Sequence, residues 1–191
     1  MGGTVLVTGG SGFIGGWCVI KLLEQGFTVR TTVRNLGRGP AVRATLGKFV
    51  DPQDRLSFHA AELTADDGWD AAMSGCDYVL HVASPVVIAE PKDPDELVRP
   101  ARDGTHRVVG AALKAGVKRI VLTSSVAAAS RRTEAADYVG DESTWTDLTD
   151  PKLSAYARSK TLAERLAWDL VQGSGGSTTM ATVNPAVVLG P

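Results

Sequence analysis

The stretch of residues 4–15 reads TVLVTGGSGFIG and gives the strongest indication of the fold. Its first four residues form a β-branched apolar run that predicts a buried strand, and its end opens a periodic pattern that predicts a helix stopping at Gly26. Between strand and helix, Gly9, Gly12 and Gly15 are spaced three residues apart. A strand, a glycine-rich turn and a helix in this order predict the first unit of an alternating β/α fold.

Strand-like and helix-like segments alternate along the rest of the chain. Six strands joined by helical crossovers predict a doubly wound, Rossmann-like parallel sheet with helices on both faces. The predicted strands are 4–7, 27–33, 56–60, 77–82, 118–124 and 178–183, and the predicted helices are 13–25, 66–74, 93–115 and 153–171. A basic loop with a short helix is expected at 34–50, and irregular surface at 130–150 and 173–177. The apolar stripes expected to face the sheet are Ile14, Cys18 and Leu22 in the first helix and Leu162, Leu166 and Leu170 in the last.

Composition narrows the class of protein. The 191 residues suit one α/β domain, and a formal net charge of −1 with no basic block predicts no nucleic-acid partner. No apolar run approaches the roughly 20 residues that span a bilayer, and no signal peptide is visible, so we expect a cytoplasmic protein without a membrane partner. Cys18 and Cys76 are isolated in apolar surroundings, so we expect buried core thiols and no disulfide or metal site.

The glycine loop predicts a dinucleotide site. Side chains at its glycine positions would keep a pyrophosphate away from the backbone N–H groups, and the helix that follows directs its positive end at the phosphates. A glycine-rich turn without a ligand is the alternative, which the strand–turn–helix context disfavours. The residues expected to contact the cofactor here are Gly9, Gly12, Phe13, Ile14 and Gly15.

The end of the second strand favours NADP over NAD. An NAD site usually has an acid about 20 residues after the glycines, which binds the ribose 2′-hydroxyl. The second strand ends without an acid, and Arg34 stands where a guanidinium could pair with a 2′-phosphate. Arg38 and Arg43 add positive charge nearby. The alternative is that all three are solvated loop arginines.

Tyr156 and Lys160 predict proton transfer. Their i, i+4 spacing puts both side chains on one face of a helix. A free phenol has a pKa of about 10, and a nearby ammonium favours the phenolate. Tyr156 could then donate a proton to a carbonyl oxygen as hydride reaches the carbon. The alternative is a chance pair on an exposed helix, which is less favoured because Ser124 and Ser125 end the preceding strand, and either hydroxyl could hold the substrate oxygen.

Taken together, these motifs resemble the extended short-chain dehydrogenase/reductases of the NAD-dependent epimerase/dehydratase superfamily. The resemblance is closest to the dihydroflavonol reductase-like and cinnamoyl-CoA reductase-like branch, and it covers essentially the whole chain. The segments that carry it are 8–15, 28–34, 81–85, 118–125, 156–164 and 184–191. It implies NADPH-dependent reduction of an aldehyde or ketone, with a small-molecule carbonyl compound as substrate.

The resemblance also implies residue roles. Ser125 matches the catalytic serine, Tyr156 the acid and Lys160 its partner, while Arg34 matches the 2′-phosphate ligand. The remaining cofactor contacts that it implies are Glu62 and Leu63 beside the adenine, Val82, Ala83 and Ser84 under the ribose, and Pro185 and Val188 beside the nicotinamide. Tyr156 and Lys160 are also expected to contact the cofactor, with Lys160 hydrogen-bonded to the nicotinamide ribose.

The chain departs from the family pattern at several positions. Glu62 stands where Asp is usual, and Asp103 where many members have Asn, so we assign no fourth catalytic residue. The segment that starts at 130–132 matches no recognisable flavonoid pocket. Family members continue past residue 191 into a smaller lobe that closes over the substrate. We therefore expect the chain to be the NADP-binding domain, 1–191, of a longer protein, with substrate and oligomeric state left open.

Two other functions fit the same motifs. A sugar-nucleotide epimerase or dehydratase shares the scaffold and the Ser/Tyr/Lys set, but such enzymes commonly hold NAD, which the missing acid disfavours. A redox-sensing module that binds NADP without chemistry is the third reading. Such modules tend to lose the tyrosine or the lysine, and here both are present.

Overall fold

A computed structural model describes residues 2–86, 89–130 and 139–190. Its strands are β1 (Thr4–Thr8), β2 (Thr28–Val33), β3 (Leu56–Ala60), β4 (Tyr78–His81), β5 (Arg119–Thr123) and β6 (Thr179–Val183). Its helices are α1 (Phe13–Glu24), α2 (Gly39–Leu46), α3 (Trp69–Met73), α4 (Asp95–Lys114) and α5 (Ala155–Gly173), with short 3₁₀ turns at Leu36–Arg38, Gln53–Arg55 and Val126–Ala128. The predicted strands lie within one or two residues of these bounds.

The six strands form one parallel sheet in the order β3-β2-β1-β4-β5-β6. The chain runs outward from β1 to β3 and then restarts on the other side of β1 with β4. Ligands of open α/β sheets bind at such a switch point, beyond the carboxyl ends of the strands. The predicted doubly wound, six-stranded fold is confirmed.

Alternation along β1 divides the core into two layers. Val5 and Val7 pack with α1 and α2, whereas Leu6, between them, packs with α3, α4 and α5. Successive side chains of a strand point to opposite faces, so a strand with an unbroken apolar centre such as β1 is covered by helices on both sides. None of the described helices has the length and hydropathy of a membrane-spanning segment.

The buried face of α1 differs from the predicted stripe. Gly15, Val19 and Leu23 are buried, while Ile14, Cys18 and Leu22 are half-buried. The reason is steric. A Cβ on Gly15 would lie 2.3 Å from the Gly9 carbonyl oxygen, so the face that contains Gly15 is the one that approaches the turn. Of the two cysteines, both of which are free, Cys76 is buried as predicted, but Cys18 is not fully buried.

Helix α5 also turns a different face inward. Its buried positions include a stripe of small residues at i+4 spacing, Ala155, Ser159, Ala163 and Ala167. Small side chains let a helix approach its neighbours closely, and α5 packs mainly against α4. The predicted leucine stripe at 162, 166 and 170 is therefore only half-buried.

Two further segments refine the prediction. Helix α3 begins at Trp69 instead of 66, because Gly68 has a left-handed φ of 88° that interrupts the helical path. Residues 139–150 contain no helix or strand, as expected, but Thr146 is buried and donates to the Ala127 carbonyl at 2.8 Å. This bond fastens the irregular segment to the turn after β5. The Ser130 end of the segment is described, whereas 131–138 lie outside the described residues.

We expect Gly15→Ala to destabilise the protein by about 1–3 kcal/mol, because the added methyl group would meet the Gly9 backbone at 2.3 and 2.7 Å. Urea denaturation monitored by tryptophan fluorescence measures the free energy of unfolding. Gly110→Ala is the matched control, since its Cβ would meet nothing within 4 Å, and Ala in a helix is favoured over Gly by about 1 kcal/mol. Equal stabilities of the two variants would contradict the steric account of α1.

Candidate functional site

The glycine loop joins β1 to α1 in a tight turn. Gly9 has a φ of 73°, and the Gly12 N–H donates to the Gly9 carbonyl at 2.9 Å. A Cβ on Gly9 would lie 3.1 Å from the Cα of Ala83, so the loop after β4 touches the turn. Helix α1 starts at Phe13 with Gly12 as its N-cap, which supplies no side-chain cap. Its first N–H groups are therefore oriented to receive an anion.

Two threonines of β2 hold this turn in place. Thr31 accepts from the Gly10 N–H at 3.1 Å and donates to the Val7 carbonyl at 2.8 Å. Thr32 accepts from the Gly9 N–H at 3.2 Å. Both threonines are buried, and sequence reasoning gave neither of them a role. The signal in the sequence was a pair of adjacent hydroxyl residues near the end of β2.

A cleft of about 650 Å³ opens over the glycine loop at the carboxyl edge of the sheet. Most of the residues predicted to contact the cofactor line it: Gly9, Gly12, Phe13, Ile14, Gly15, Arg34, Glu62, Leu63, Val82, Ala83 and Ser84. Four other residues expected to contact the cofactor do not line it: Tyr156, Lys160, Pro185 and Val188. Val188 lies with Phe13 and Leu80 along a neighbouring groove, and the Pro185 carbonyl accepts from the Val126 N–H at 3.1 Å.

The three predicted arginines differ in their surroundings. Arg34 and Arg38 are exposed at the cleft, and neither forms an ion pair with any described residue. Arg43 points elsewhere. It donates to the carbonyls of Gln53 and Leu56, with its guanidinium over the Phe58 ring. Arg43 thus joins α2 to the start of β3 and is not part of the cleft.

A threonine–histidine pair shapes the loop after β4. Thr8 accepts from the N–H groups of Val82 and Ala83, both at 3.0 Å, and lies 2.9 Å from Nδ1 of His81. Because the Thr8 oxygen already accepts twice, its own hydrogen points to Nδ1, and the proton of the neutral His81 is on Nε2. Burial, with the nearby Lys160 charge, lowers the pKa of His81 to about 3. The imidazole is therefore a neutral part of the site, a role that the sequence did not reveal.

Helix α5 carries Tyr156 and Lys160. The helix is capped by Ser154, whose hydroxyl accepts from the Ala157 N–H at 3.1 Å. The ammonium of Lys160 lies 5.9 Å from the centre of the Tyr156 ring, so the two predicted partners are adjacent. Lys160 is only 7% exposed, and burial lowers its pKa to about 8, against an opposing effect of the Glu164 carboxylate.

The two serines after β5 have different surroundings. The Ser125 hydroxyl accepts from the Ala127 N–H at 3.2 Å, which leaves its own proton available to donate. The Ser124 hydroxyl is buried and has no hydrogen-bond partner among the described residues. It faces a small cavity that His81 and Lys160 also line. Both serines thus lie near the lysine side of the site, but only Ser125 is bonded into the turn.

Within the described parts of the chain, no three His, Cys, Asp or Glu side chains cluster as a metal site requires. The site therefore consists of a glycine cradle, two exposed arginines and a tyrosine–lysine pair. It offers anion binding at one end of the carboxyl edge and proton transfer at the other.

Comparison with known proteins gives consistent matches. A family described as NAD dependent epimerase/dehydratase matches residues 5–191. The chain is 40% identical over 191 residues to cinnamoyl-CoA reductase 2 of Medicago truncatula, covering 98% of this chain and 54% of that protein. It is 38% identical over 195 residues to dihydroflavonol 4-reductase of Gerbera hybrida, covering 98% and 52%. The chain thus spans about half the length of the curated relatives it matches.

The fold is also found in solved structures. The structure of yeast methylglyoxal/isovaleraldehyde reductase Gre2, complexed with NADPH, superposes with a TM-score of 0.86 at 26% identity. The match covers 98% of this chain and 59% of the yeast protein. All six strands and the helices on both faces therefore belong to an architecture already seen in reductases.

We expect the stability of the protein to fall as the pH drops from 6.5 towards 3, because the unfolded chain binds a proton at His81 that the folded chain excludes. The loss is at most about 1.4 kcal/mol per pH unit from this group. His81→Asn, which keeps an acceptor for Thr8 but does not titrate, should flatten the dependence. Urea unfolding at pH 7 and pH 5 measures it. His106→Asn, at an exposed position of α4, is the control, and an unchanged slope in His81→Asn contradicts the assignment.

Proposed function

The chain belongs to the NAD dependent epimerase/dehydratase family, and from this premise we propose that it is an NADPH-dependent carbonyl reductase. It reduces an aldehyde or ketone to an alcohol, reversibly, with the proton supplied by Tyr156. The similarity to cinnamoyl-CoA and dihydroflavonol reductases confirms the branch predicted from the sequence. In this proposal residues 1–191 are the NADP-binding domain, and the substrate is a small carbonyl compound.

The cradle fits a dinucleotide pyrophosphate. The three glycines keep side chains out of the turn, and the uncapped start of α1 presents backbone N–H groups towards the cleft. The cleft has room for an extended ligand along the carboxyl ends of β1, β2 and β4. When bound there, NADPH supplies the hydride, and the yeast reductase of similar fold was solved with that cofactor.

The observation that carries the choice of NADP is the charge at the end of β2. Arg34 and Arg38 are exposed at the cleft without ion-pair partners among the described residues, so their guanidinium groups are free for a 2′-phosphate. Glu62 is the only carboxylate among the described lining residues, and it already accepts from Thr64 at 2.8 Å. Sugar-nucleotide epimerisation or dehydration, the alternative function for this family, is less favoured. The reason is that β2 ends without the acid that an NAD site usually has.

The proton-transfer end uses three side chains. The ammonium of Lys160 is buried beside the ring of Tyr156, the side chain that gives up the proton in this proposal. With its pKa lowered to about 8, Lys160 is still mostly charged at pH 7. Ser125 retains a hydroxyl proton that can orient the substrate oxygen towards Tyr156. A binding module without chemistry would have no need of a buried ammonium beside a phenol.

We expect Arg34→Ala to weaken NADPH binding by about 10- to 100-fold while leaving NADH binding nearly unchanged, because it removes a charge-assisted contact made only to the 2′-phosphate. Fluorescence titration of the purified protein with each cofactor gives the two dissociation constants. Arg119→Ala is the matched control, since Arg119 is exposed at the opposite, amino-terminal end of β5. Tighter binding of NADH than NADPH by the unaltered protein would overturn the choice of NADP.

We expect Tyr156→Phe to reduce turnover by at least about 100-fold and to leave NADPH affinity within a few-fold, because the ring stays while the proton donor is lost. NADPH oxidation with a panel of aldehydes and ketones, using the protein as its gene encodes it, measures turnover. Tyr78→Phe is the control, because Tyr78 packs edge-on against Phe27 at the start of β4. Retained turnover in Tyr156→Phe would remove this residue from the mechanism.

A further inference from the structure

Glu164 is a buried carboxylate that the proposed mechanism leaves without a role. It lies on α5 one turn after Lys160 and is only 6% exposed. A buried carboxylate is costly unless it is hydrogen-bonded, so its partner is informative. That partner is Asn184, just beyond the end of β6, whose amide nitrogen lies 3.0 Å from the Glu164 carboxylate.

Asn184 makes a second bond to the turn that carries Ser125. The same amide nitrogen lies 3.1 Å from the Ser125 carbonyl oxygen. A carbonyl and a carboxylate both only accept, so the NH₂ group of Asn184 must face them, and its orientation is determined by its partners. Asn184 thus donates one hydrogen to Glu164 of α5 and the other to Ser125 in the turn after β5.

Backbone bonds hold this amide in position. The Ser124 N–H donates to the Val183 carbonyl at 2.8 Å, and the Val126 N–H donates to the Pro185 carbonyl at 3.1 Å. These two bonds flank Asn184 on one side and Ser125 on the other. The chain segments after β5 and β6 therefore form a rigid pair, to which Glu164 attaches the helix.

We propose that Glu164 is a positioning residue which, through Asn184, holds the helix that carries Tyr156 and Lys160 against the strand end that carries Ser125. The role rests on the proposed reductase function, because it concerns the alignment of that reaction's three side chains. Ser125 lies just beyond β5 and Tyr156 lies on α5, with 30 residues of sequence between them, part of which is irregular. The Glu164–Asn184 bridge links the two elements directly.

The same carboxylate acts on the charge of Lys160. Lys160 lies beside Tyr156 on α5, and the polar residues that line a small cavity with it are His81, Ser84, Thr105, Thr123, Ser124 and Glu164. Of these, only Glu164 opposes the effect of burial and raises the pKa of Lys160. The bridge therefore places a negative charge near the ammonium without a direct ion pair, since Lys160 forms none with the described residues.

Glu164→Gln tests the charge while keeping the bridge, because the new side-chain amide oxygen can still accept from Asn184. We expect the pKa of Lys160 to fall by about one unit or more. The pH dependence of amine labelling at Lys160, read by mass spectrometry on the cofactor-free protein, measures this shift. Asp169→Asn is the matched control, as an exposed carboxylate on the same helix. An unchanged Lys160 pKa in a folded Glu164→Gln protein overturns the electrostatic role.

Asn184→Asp tests the bridge itself. This change replaces the amide donor with a second carboxylate that faces two acceptors, so we expect a lower free energy of unfolding at pH 8. The free energy of unfolding should recover as the pH falls, because the new carboxyl group regains a proton that it can donate. Combining it with Glu164→Gln restores a donor–acceptor pair, and the double variant should be more stable than Asn184→Asp alone at pH 8. Additive losses in the double variant, or no loss in Asn184→Asp, overturn the bridge.

Activity gives a separate readout. If the protein reduces carbonyl compounds, its kcat–pH profile has a limb that reports the protonation of Lys160. In Glu164→Gln this limb should move by the same amount as the Lys160 pKa measured by labelling. Loss of a merely structural residue would lower kcat without moving the profile. The labelling and unfolding experiments use neither cofactor nor substrate. Absence of turnover with a shifted Lys160 pKa therefore counts against the reductase and not against the bridge. An unmoved profile in an active protein counts against the electrostatic role of Glu164 alone, because Glu164→Gln keeps the bridge.

Discussion

The close approach of Gly15 to the Gly9 carbonyl is the contact on which the rest of the site depends. A hydrogen at Gly15 lets α1 begin directly over the end of β1, and any larger side chain would meet backbone atoms. That position aims the first N–H groups of α1 into the cleft and selects which face of α1 is buried. The glycine turn is then held from the side by Thr31 and Thr32. A steric constraint at one residue thus decides both the packing of a helix and the place where an anion can bind.

Hydroxyl groups, rather than charges, organise the carboxyl edge of the sheet. Thr8, Thr31 and Thr32 are buried there, and each accepts a backbone N–H from a loop that the strands leave unpaired. Unpaired backbone groups are costly when buried, so a threonine at a strand end can fix a loop without introducing a charge. His81 joins this set in its neutral form because the Thr8 hydrogen occupies Nδ1. The charged groups lie towards the two ends of this edge, with Arg34, Arg38 and Glu62 at one end and Lys160 and Glu164 at the other.

The order of strands and helices could be predicted because apolar residues repeat every two positions in strands and about every 3.6 positions in helices. The functional motifs could be placed because the glycine motif and the Tyr–Lys motif lie at strand and helix ends. The hydrophobic pattern alone predicted the wrong buried faces of α1 and α5. In each helix the buried face contains small residues, Gly15 in α1 and the alanines and serine of α5, because these residues allow close packing against the neighbouring elements. The boundary of α3 depended on the left-handed φ of Gly68, which a run of acidic residues does not reveal. The Glu164–Asn184 contact could not be foreseen, since it joins residues of a helix and a strand end that only the completed sheet brings together.

Lys160 is subject to two opposing requirements. A charge in a low-dielectric site is poorly screened, which suits the role proposed for Lys160, but burial also favours loss of its proton. A direct ion pair with Glu164 would keep Lys160 charged and would also neutralise much of the field that it exerts on the phenol. In the structure one oxygen of Glu164 is occupied by the Asn184 amide, and Lys160 has no ion-pair partner among the described residues. The carboxylate is therefore near enough to raise the pKa of the lysine through space, yet it is engaged elsewhere, and the ammonium stays available to the tyrosine.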